Sequence, residues 1–260
     1  MPTQTTYKPG TFCWVDFNAK DQKAAKKFYS EVFGWTSNDM PMPDGTDYSM
    51  MLKNGKEVGA IGGMPPGAGE MPPHWNSYIS VDNVDAAANK VTSLGGNVAM
   101  PPFDVMGVGR MAAVQDPSGA FVMLWQAGSH TGAELTMETG SVCWNELLTK
   151  DTNAAGSFYK DLLGWNVQTM DMPGMQYNIF KNGEAQVGGM FPIDPSWGPV
   201  PSNWTVYFAV DNCDATCQKV KSLGGQVVMG PQDIPTVGRF ASLADTQGGV
   251  FAILQPEPRA

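Results

Sequence analysis

The sequence predicts an α+β protein of two similar domains in tandem, each assembled from two βαβββ units, and two observations carry that prediction. The first is an internal duplication. Gly34 and Trp35 return as Gly164 and Trp165, Ser93-Leu94-Gly95-Gly96 as Ser222-Leu223-Gly224-Gly225, and Val108-Gly109-Arg110 as Val237-Gly238-Arg239, in one order and at an offset of about 129. Phe28-Tyr29 with Phe158-Tyr159, Trp75 with Trp204, Asp116 with Asp245 and Gln126 with Gln255 hold the same register. A repeat of this length means duplicated domains, not a solenoid of short units. The second observation is that alternating and helical periodicities follow each other twice within each repeat.

The elements of the first repeat read in order. Residues 11–17 alternate as a strand, and 21–29 follow with helical spacing behind an acidic start, ended by Gly34. Short strands are expected at 35–39, 48–53 and 57–64, the last two joined by the hairpin signal Asn54-Gly55. A Pro- and Gly-rich internal linker, 65–73, precedes a strand at 75–81, a helix at 84–94 closed by Gly95-Gly96, and strands near 97–103, 110–115 and 120–126. The second repeat runs 142–189 and 204–255, with 197–203 as its internal linker. The expected domains are 10–127 and 140–257, joined by a connector over 128–139. At about 120 residues, each is long enough to bury its own core.

Composition bounds the function. Hydrophobic content of 42% with 16% charged residues is that of a globular protein, and every apolar run is too short and broken for a membrane span. A net charge of −9 argues against nucleic acid, whose phosphates require basic patches. The first ten residues hold no apolar signal-peptide core, so the expected address is the cytoplasm. Cys13 and Cys143 read as small buried apolar residues. Cys213 and Cys217 lack the further soft ligands that a metal pair would need.

The motifs that recur carry a family resemblance. Asp21 with Phe28-Tyr29, Val81-Asp82-Asn83 with Asp85-Ala86, and Asp116-Pro117-Ser118-Gly119 have counterparts in Asp151 with Phe158-Tyr159, Val210-Asp211-Asn212 with Asp214-Ala215, and Asp245-Thr246-Gln247-Gly248. Paired βαβββ units with these motifs resemble the vicinal oxygen chelate superfamily of glyoxalases, bleomycin-resistance proteins and extradiol dioxygenases, over about nine tenths of the chain. Asn145-Glu146-Leu147-Leu148, Val206-Tyr207-Phe208-Ala209 and Val237-Gly238-Arg239-Phe240 further resemble a group of actinobacterial two-domain proteins labelled hydroxylase or glyoxalase-like, which includes a mycobacterial antigen. The resemblance implies a cupped mixed sheet in each domain, with a cleft on its concave face.

It also implies where a metal would be held: by His, Glu or Gln on the first and fifth strands and an acid on the eighth. Counting from the shared motifs, those positions hold Trp14, Asn76 and Met123 in the first domain and Trp144, Thr205 and Ala252 in the second. No imidazole-rich site can be assembled from His74 and His130 alone. An oxygen-only site for a hard ion around Asp16 or Glu146 stays open. The expectation is therefore no cofactor and a metal-free cleft for a small organic ligand.

The expected lining is Trp14, Asp16, Tyr48, Asn76, Tyr78, Met123 and Trp125 in the first cleft, and Trp144, Glu146, Tyr177, Thr205, Tyr207, Ala252 and Leu254 in the second. Aromatic walls with a few polar tips suit flat ligands. Arg110 and Arg239 are expected to pair with Asp16 and Glu146 across the clefts, or to hold an anionic ligand group. Two functions compete: binding of a hydrophobic or aromatic compound, or metal-free hydroxylase- or lyase-like catalysis on an aromatic polyketide or carbonyl metabolite. In the second, Glu146 or Asp16 is the base. The expected assembly is a monomer paired within the chain or a homodimer.

Overall fold

The computed structural model describes residues 4–42, 45–65, 67, 69–172 and 175–257. Of the expected internal linker 65–73, positions 66 and 68 lie outside the described residues. The first half runs β1 (Phe12–Ala19), α1 (Gln22–Phe33), β2 (Thr36–Pro41), β3 (Asp47–Lys53), β4 (Lys56–Gly63), β5 (His74–Ser80), α2 (Val84–Ser93), β6 (Asn97–Val105), β7 (Gly109–Gln115) and β8 (Phe121–Ala127). The second repeats it as β9 (Val142–Thr149), α3 (Thr152–Leu163), β10 (Asn166–Met172), β11 (Met175–Asn182), β12 (Ala185–Pro192), β13 (Asn203–Ala209), α4 (Cys213–Ser222), β14 (Gln226–Ile234), β15 (Gly238–Ala244) and β16 (Val250–Pro256). A single 3-10 turn, Pro195–Trp197, stands between β12 and β13.

Local chemistry sets these boundaries. Asp21 caps α1 by accepting from the Ala24 amide at 2.9 Å, and Asn83 caps α2 through the Ala86 amide at 2.8 Å. Asp151 and Asn212 do the same for α3 and α4. Gly34 ends α1 in the left-handed conformation, φ 71°.

Each half closes one mixed eight-stranded sheet, ordered β2-β3-β4-β1-β5-β8-β7-β6 and β10-β11-β12-β9-β13-β16-β15-β14. The central strands β1 and β5 run antiparallel, while β1 with β4 and β5 with β8 run parallel. In β1 the odd positions Val15 and Phe17 join the helix-bearing core, and the even positions Trp14 and Asp16 face the other way.

The expectation that each domain buries its own core is corrected by the structure. One core joins β1 and α1 (Val15, Phe17, Phe28, Tyr29, Phe33) to β13, α4 and β16 (Val206, Phe208, Cys213, Cys217, Phe251). The other joins β5, α2 and β8 to α3, Leu147, Phe180 and Trp204. The first unit of one domain thus packs on the last unit of the other. The helix-bearing faces meet, which turns both clefts outward.

The repeated motifs build this crosswise pairing. Tyr29 Oη donates to Asp245 Oδ2 at 3.0 Å and accepts from Trp75 Nε1 at 3.0 Å. Symmetrically, Tyr159 Oη donates to Asp116 Oδ2 at 3.3 Å and accepts from Trp204 Nε1 at 2.8 Å. Trp35 Nε1 donates to the Gly140 carbonyl and Trp165 Nε1 to that of Gly10, at 2.6 and 2.8 Å. Buried polar atoms need such partners, and here Asp245, Asp116, Gly140 and Gly10 supply them from the opposite repeat. Among the described residues, no helix is long and apolar enough to cross a membrane.

Candidate functional site

Each outward face is centred on one carboxylate. Asp16 on β1 stands opposite Asn76 on β5, and Trp14 opposite Tyr78. Asp16 Oδ1 accepts from Asn76 Nδ2 at 2.8 Å, and Oδ2 accepts from Tyr78 Oη at 2.6 Å and Tyr48 Oη at 3.1 Å. Trp14 Nε1 donates to Tyr48 Oη at 3.0 Å. Met123 and Trp125 on β8 complete this cluster with Met50 and Ala60. Burial pushes the Asp16 carboxyl up, and the three donors pull it part of the way back.

The second face repeats the plan with Glu146. Its two oxygens accept from Tyr177 Oη at 2.7 Å and Tyr207 Oη at 2.8 Å, and Trp144 Nε1 donates to Tyr177 Oη at 3.0 Å. Burial raises the Glu146 carboxyl, against the hydrogen bonds from Tyr177 and then Tyr207. Thr205 faces Glu146 in register but donates to Asn203 Oδ1 instead. Gly189, also opposite Glu146, is the floor beneath this network. A Cβ there would collide with Tyr177 Oη and lie 2.9 Å from Trp144 Nε1.

The two clefts differ in access. In the first, the connector lies against the wall: Ala133 N donates to the Cys13 carbonyl, Trp125 Nε1 to the His130 carbonyl, and Tyr7 Oη to the Ala133 carbonyl. His130 sets its ring edge-on to Trp14, centroids 4.6 Å apart. Asp16 is left 5% exposed. In the second, Trp144, Glu146, Phe240 and Leu254 stay half-buried. Ala252 and Leu254, smaller side chains, stand where the first cleft has Met123 and Trp125, and Trp144, Phe240 and Leu254 pack over Ala252 and Tyr207.

The structure therefore brings together all the expected lining residues except the arginines. Arg110 and Arg239 are corrected: they pair in register with Gln126 and Gln255, one position out of phase with Trp125 and Leu254, and so point to the opposite face. Arg110 instead bonds Asp85 at 2.8 Å and Asp104 at 2.9 Å, and Arg239 bonds Asp214 at 2.7 Å and Asp233 at 2.9 Å. Sequence reasoning missed His130 as part of the first cleft, because a connector's path is set by tertiary packing and not by periodicity.

The metal positions implied by the family do not fit a divalent ion. Trp14, Asn76 and Met123, and Trp144, Thr205 and Ala252, supply neither imidazole nor carboxylate. The nearby Asp16 and Glu146 oxygens are already engaged by hydroxyl and amide donors. Among the described residues no three His, Cys, Asp or Glu side chains cluster as ligands. A surface hollow of about 370 Å³ beside α3 lies apart from both carboxylates. Gly156 and Thr169 line it, where Lys26 and Asp39 form an ion pair in the first half.

Comparison with known proteins places the geometry in a family. The model of the glyoxalase/bleomycin resistance protein/dioxygenase superfamily matches residues 11–124 and again 139–253. The chain belongs to that superfamily. It is 50% identical, over the whole of both chains, to CFP32 of Mycobacterium tuberculosis (strain CDC 1551 / Oshkosh), which is named as a candidate glyoxylase. It is 36% identical to the anthracycline biosynthesis protein DnrV of Streptomyces peucetius, over 96% of this chain and 95% of that one. Among solved structures, the Mn(II)-bound glyoxalase of Novosphingobium aromaticivorans superposes with a TM-score of 0.66 at 19% identity, covering 95% of this chain and 82% of that chain. The 2,3-dioxygenase LapB of Pseudomonas sp. KL28 gives 0.65 at 11%, covering 96% and 93%. At these identities the structural likeness speaks for the fold alone.

Proposed function

We propose that the chain binds a flat, hydrophobic aromatic compound without a metal, in the cleft centred on Glu146. The observation that carries this reading is the Glu146 carboxyl held between the Tyr177 and Tyr207 hydroxyls, with Trp144 beside it and both Glu146 and Trp144 half-buried. Aromatic rings supply stacking area, and the carboxyl with its two hydroxyls orients a phenol, quinone or carbonyl group. The name of DnrV, which refers to biosynthesis of polycyclic aromatic compounds, supports this ligand class. The first cleft, covered by Tyr7, His130 and Ala133, takes no ligand in this reading.

Titration calorimetry of chelator-treated protein with a hydroxylated aromatic tests it. Binding at one site per chain is expected, weakened about tenfold or more by Glu146→Gln and retained in Asp16→Asn. Binding that requires an added divalent ion overturns the reading.

A second reading, metal-free catalysis, is favoured by the contact of both tyrosine hydroxyls with one carboxyl. In it Glu146 takes a proton from the substrate, and a tyrosine hydroxyl hydrogen-bonds the oxygen on which charge develops. Glu146→Gln then abolishes turnover while leaving affinity nearly unchanged, the opposite pattern from the first reading.

A further inference from the structure

The aromatic lining of the second cleft does not stop at Tyr177. Phe191 on β12 stands two residues past Gly189 on the same face, its ring 6.5 Å from that of Tyr177. Trp197, at the end of the 3-10 turn, stacks on Phe191 with centroids 6.0 Å apart and planes within 16°. The turn is held by its own bonds, with Asp194 Oδ1 accepting from the Ser196 amide and the Asp194 carbonyl from the Trp197 amide. Trp197 is nevertheless 40% exposed, and among the described residues its one ring contact is with Phe191.

Among the described residues the first half has no equivalent. The registers of Asp16 with Ala60 and Glu146 with Gly189 put Gly62 where Phe191 stands, and the described part of 64–73 contains no aromatic residue. The extension belongs to the same cleft in which Ala252 and Leu254 stand for Met123 and Trp125. From β12 to β16 the sheet crosses β9 and β13, so the lined floor spans three strand spacings, about 14 Å. That is far longer than one benzene ring.

We infer that Phe191 and Trp197 form a stacking subsite that selects ligands of several linearly fused rings over single-ring compounds. The inference rests on the Glu146 cleft being the ligand site. One end of the ligand lies against the half-buried Phe240 and Leu254, its oxygen substituent meets Glu146 and the tyrosine hydroxyls, and its far ring stacks toward Trp197. Trp197 acts here as a specificity-determining residue and touches no reacting group.

The test compares two probes, 1,4-dihydroxyanthraquinone and 1,2-dihydroxybenzene, by calorimetry on the full chain. Wild-type protein is expected to prefer the three-ring probe, and Trp197→Ala to cut the ratio of the two affinities by roughly threefold to tenfold, as loss of one ring stack implies. Trp197→Phe is expected to keep most of that ratio. Because Trp197 is exposed and caps no core, Trp197→Ala should melt as the wild type does, which a thermal scan checks. If both probes bind and the ratio is unchanged in Trp197→Ala, the subsite is overturned while the Glu146 reading stands. If neither probe binds the wild type, the cleft reading itself fails and the subsite with it.

Discussion

Glu146 and Asp16 are acids whose environment favours their neutral form, and this makes a prediction about stability. Their folded values are raised, chiefly by burial, so the native state holds these protons more tightly than the unfolded chain does. Their contribution is full below the ordinary carboxyl range and is lost as pH rises through the raised folded values. Each unit of upward shift corresponds to about 1.4 kcal/mol. Urea titrations across pH 4–8 should therefore show Glu146→Gln and Asp16→Asn losing less stability with rising pH than the wild type. A residual slope is expected from Asp116 and Asp245, whose carboxyls burial also raises. Variants that lose as much as the wild type would contradict the assignment. Gly189→Ala tests the floor of the site: by displacing Tyr177 it should weaken aromatic binding while Tyr207 still holds Glu146, measured by calorimetry. The carboxylates were legible in the sequence because strand alternation places Asp16 and Glu146 on the faces of Trp14 and Trp144. The arginines were misread because their strand parity, fixed by pairing with Gln126 and Gln255, puts them behind the sheet.

At the scale of elements, the repeated grammar serves assembly more than chemistry. Phe28, Tyr29, Trp35, Trp75 and the Asp245 turn each supply one part of a contact completed by the other repeat. Tyr29→Phe leaves the Asp245 carboxyl and the Trp75 indole short of a partner inside the shared core. A loss of about 1–3 kcal/mol is expected in urea unfolding, and Tyr159→Phe should cost a similar amount. Substituting Arg110 or Arg239 by Ala, in contrast, should leave ligand binding unaltered, since both form surface ion pairs on the far face. Helices and hairpins were readable from caps and turn residues: Asp21, Gly34 and the Asn54-Gly55 turn sit where the sequence placed them. Partners for Tyr29 and Tyr159 were not, since periodicity reports which face is buried but not what buries it.

For the whole molecule, the duplication showed two domains but not that their cores are exchanged. Helix α1 packs with β13 and α4, and α3 with β5 and α2, so neither half carries a complete core. A chain of residues 1–127 should expose Phe28, Phe33 and Trp35, and either aggregate or pair with a second copy. Size-exclusion chromatography and circular dichroism on the isolated half check this. A stable, folded monomer from that half would contradict the shared-core arrangement. The intact chain should instead unfold in one transition, because breaking either core detaches parts of both domains. This pairing turns the clefts outward, and they differ in cover: the connector closes the first with His130 and Ala133, while Trp144, Glu146, Phe240 and Leu254 of the second stay half-buried.

The most direct test of the account is calorimetric titration of chelator-treated protein with 1,4-dihydroxyanthraquinone, in wild type, Glu146→Gln and Asp16→Asn. The account predicts binding at one site per chain without metal, weakened about tenfold or more in Glu146→Gln and kept in Asp16→Asn. Binding that appears only after a divalent ion is added, or that disappears in Asp16→Asn and survives in Glu146→Gln, would contradict it.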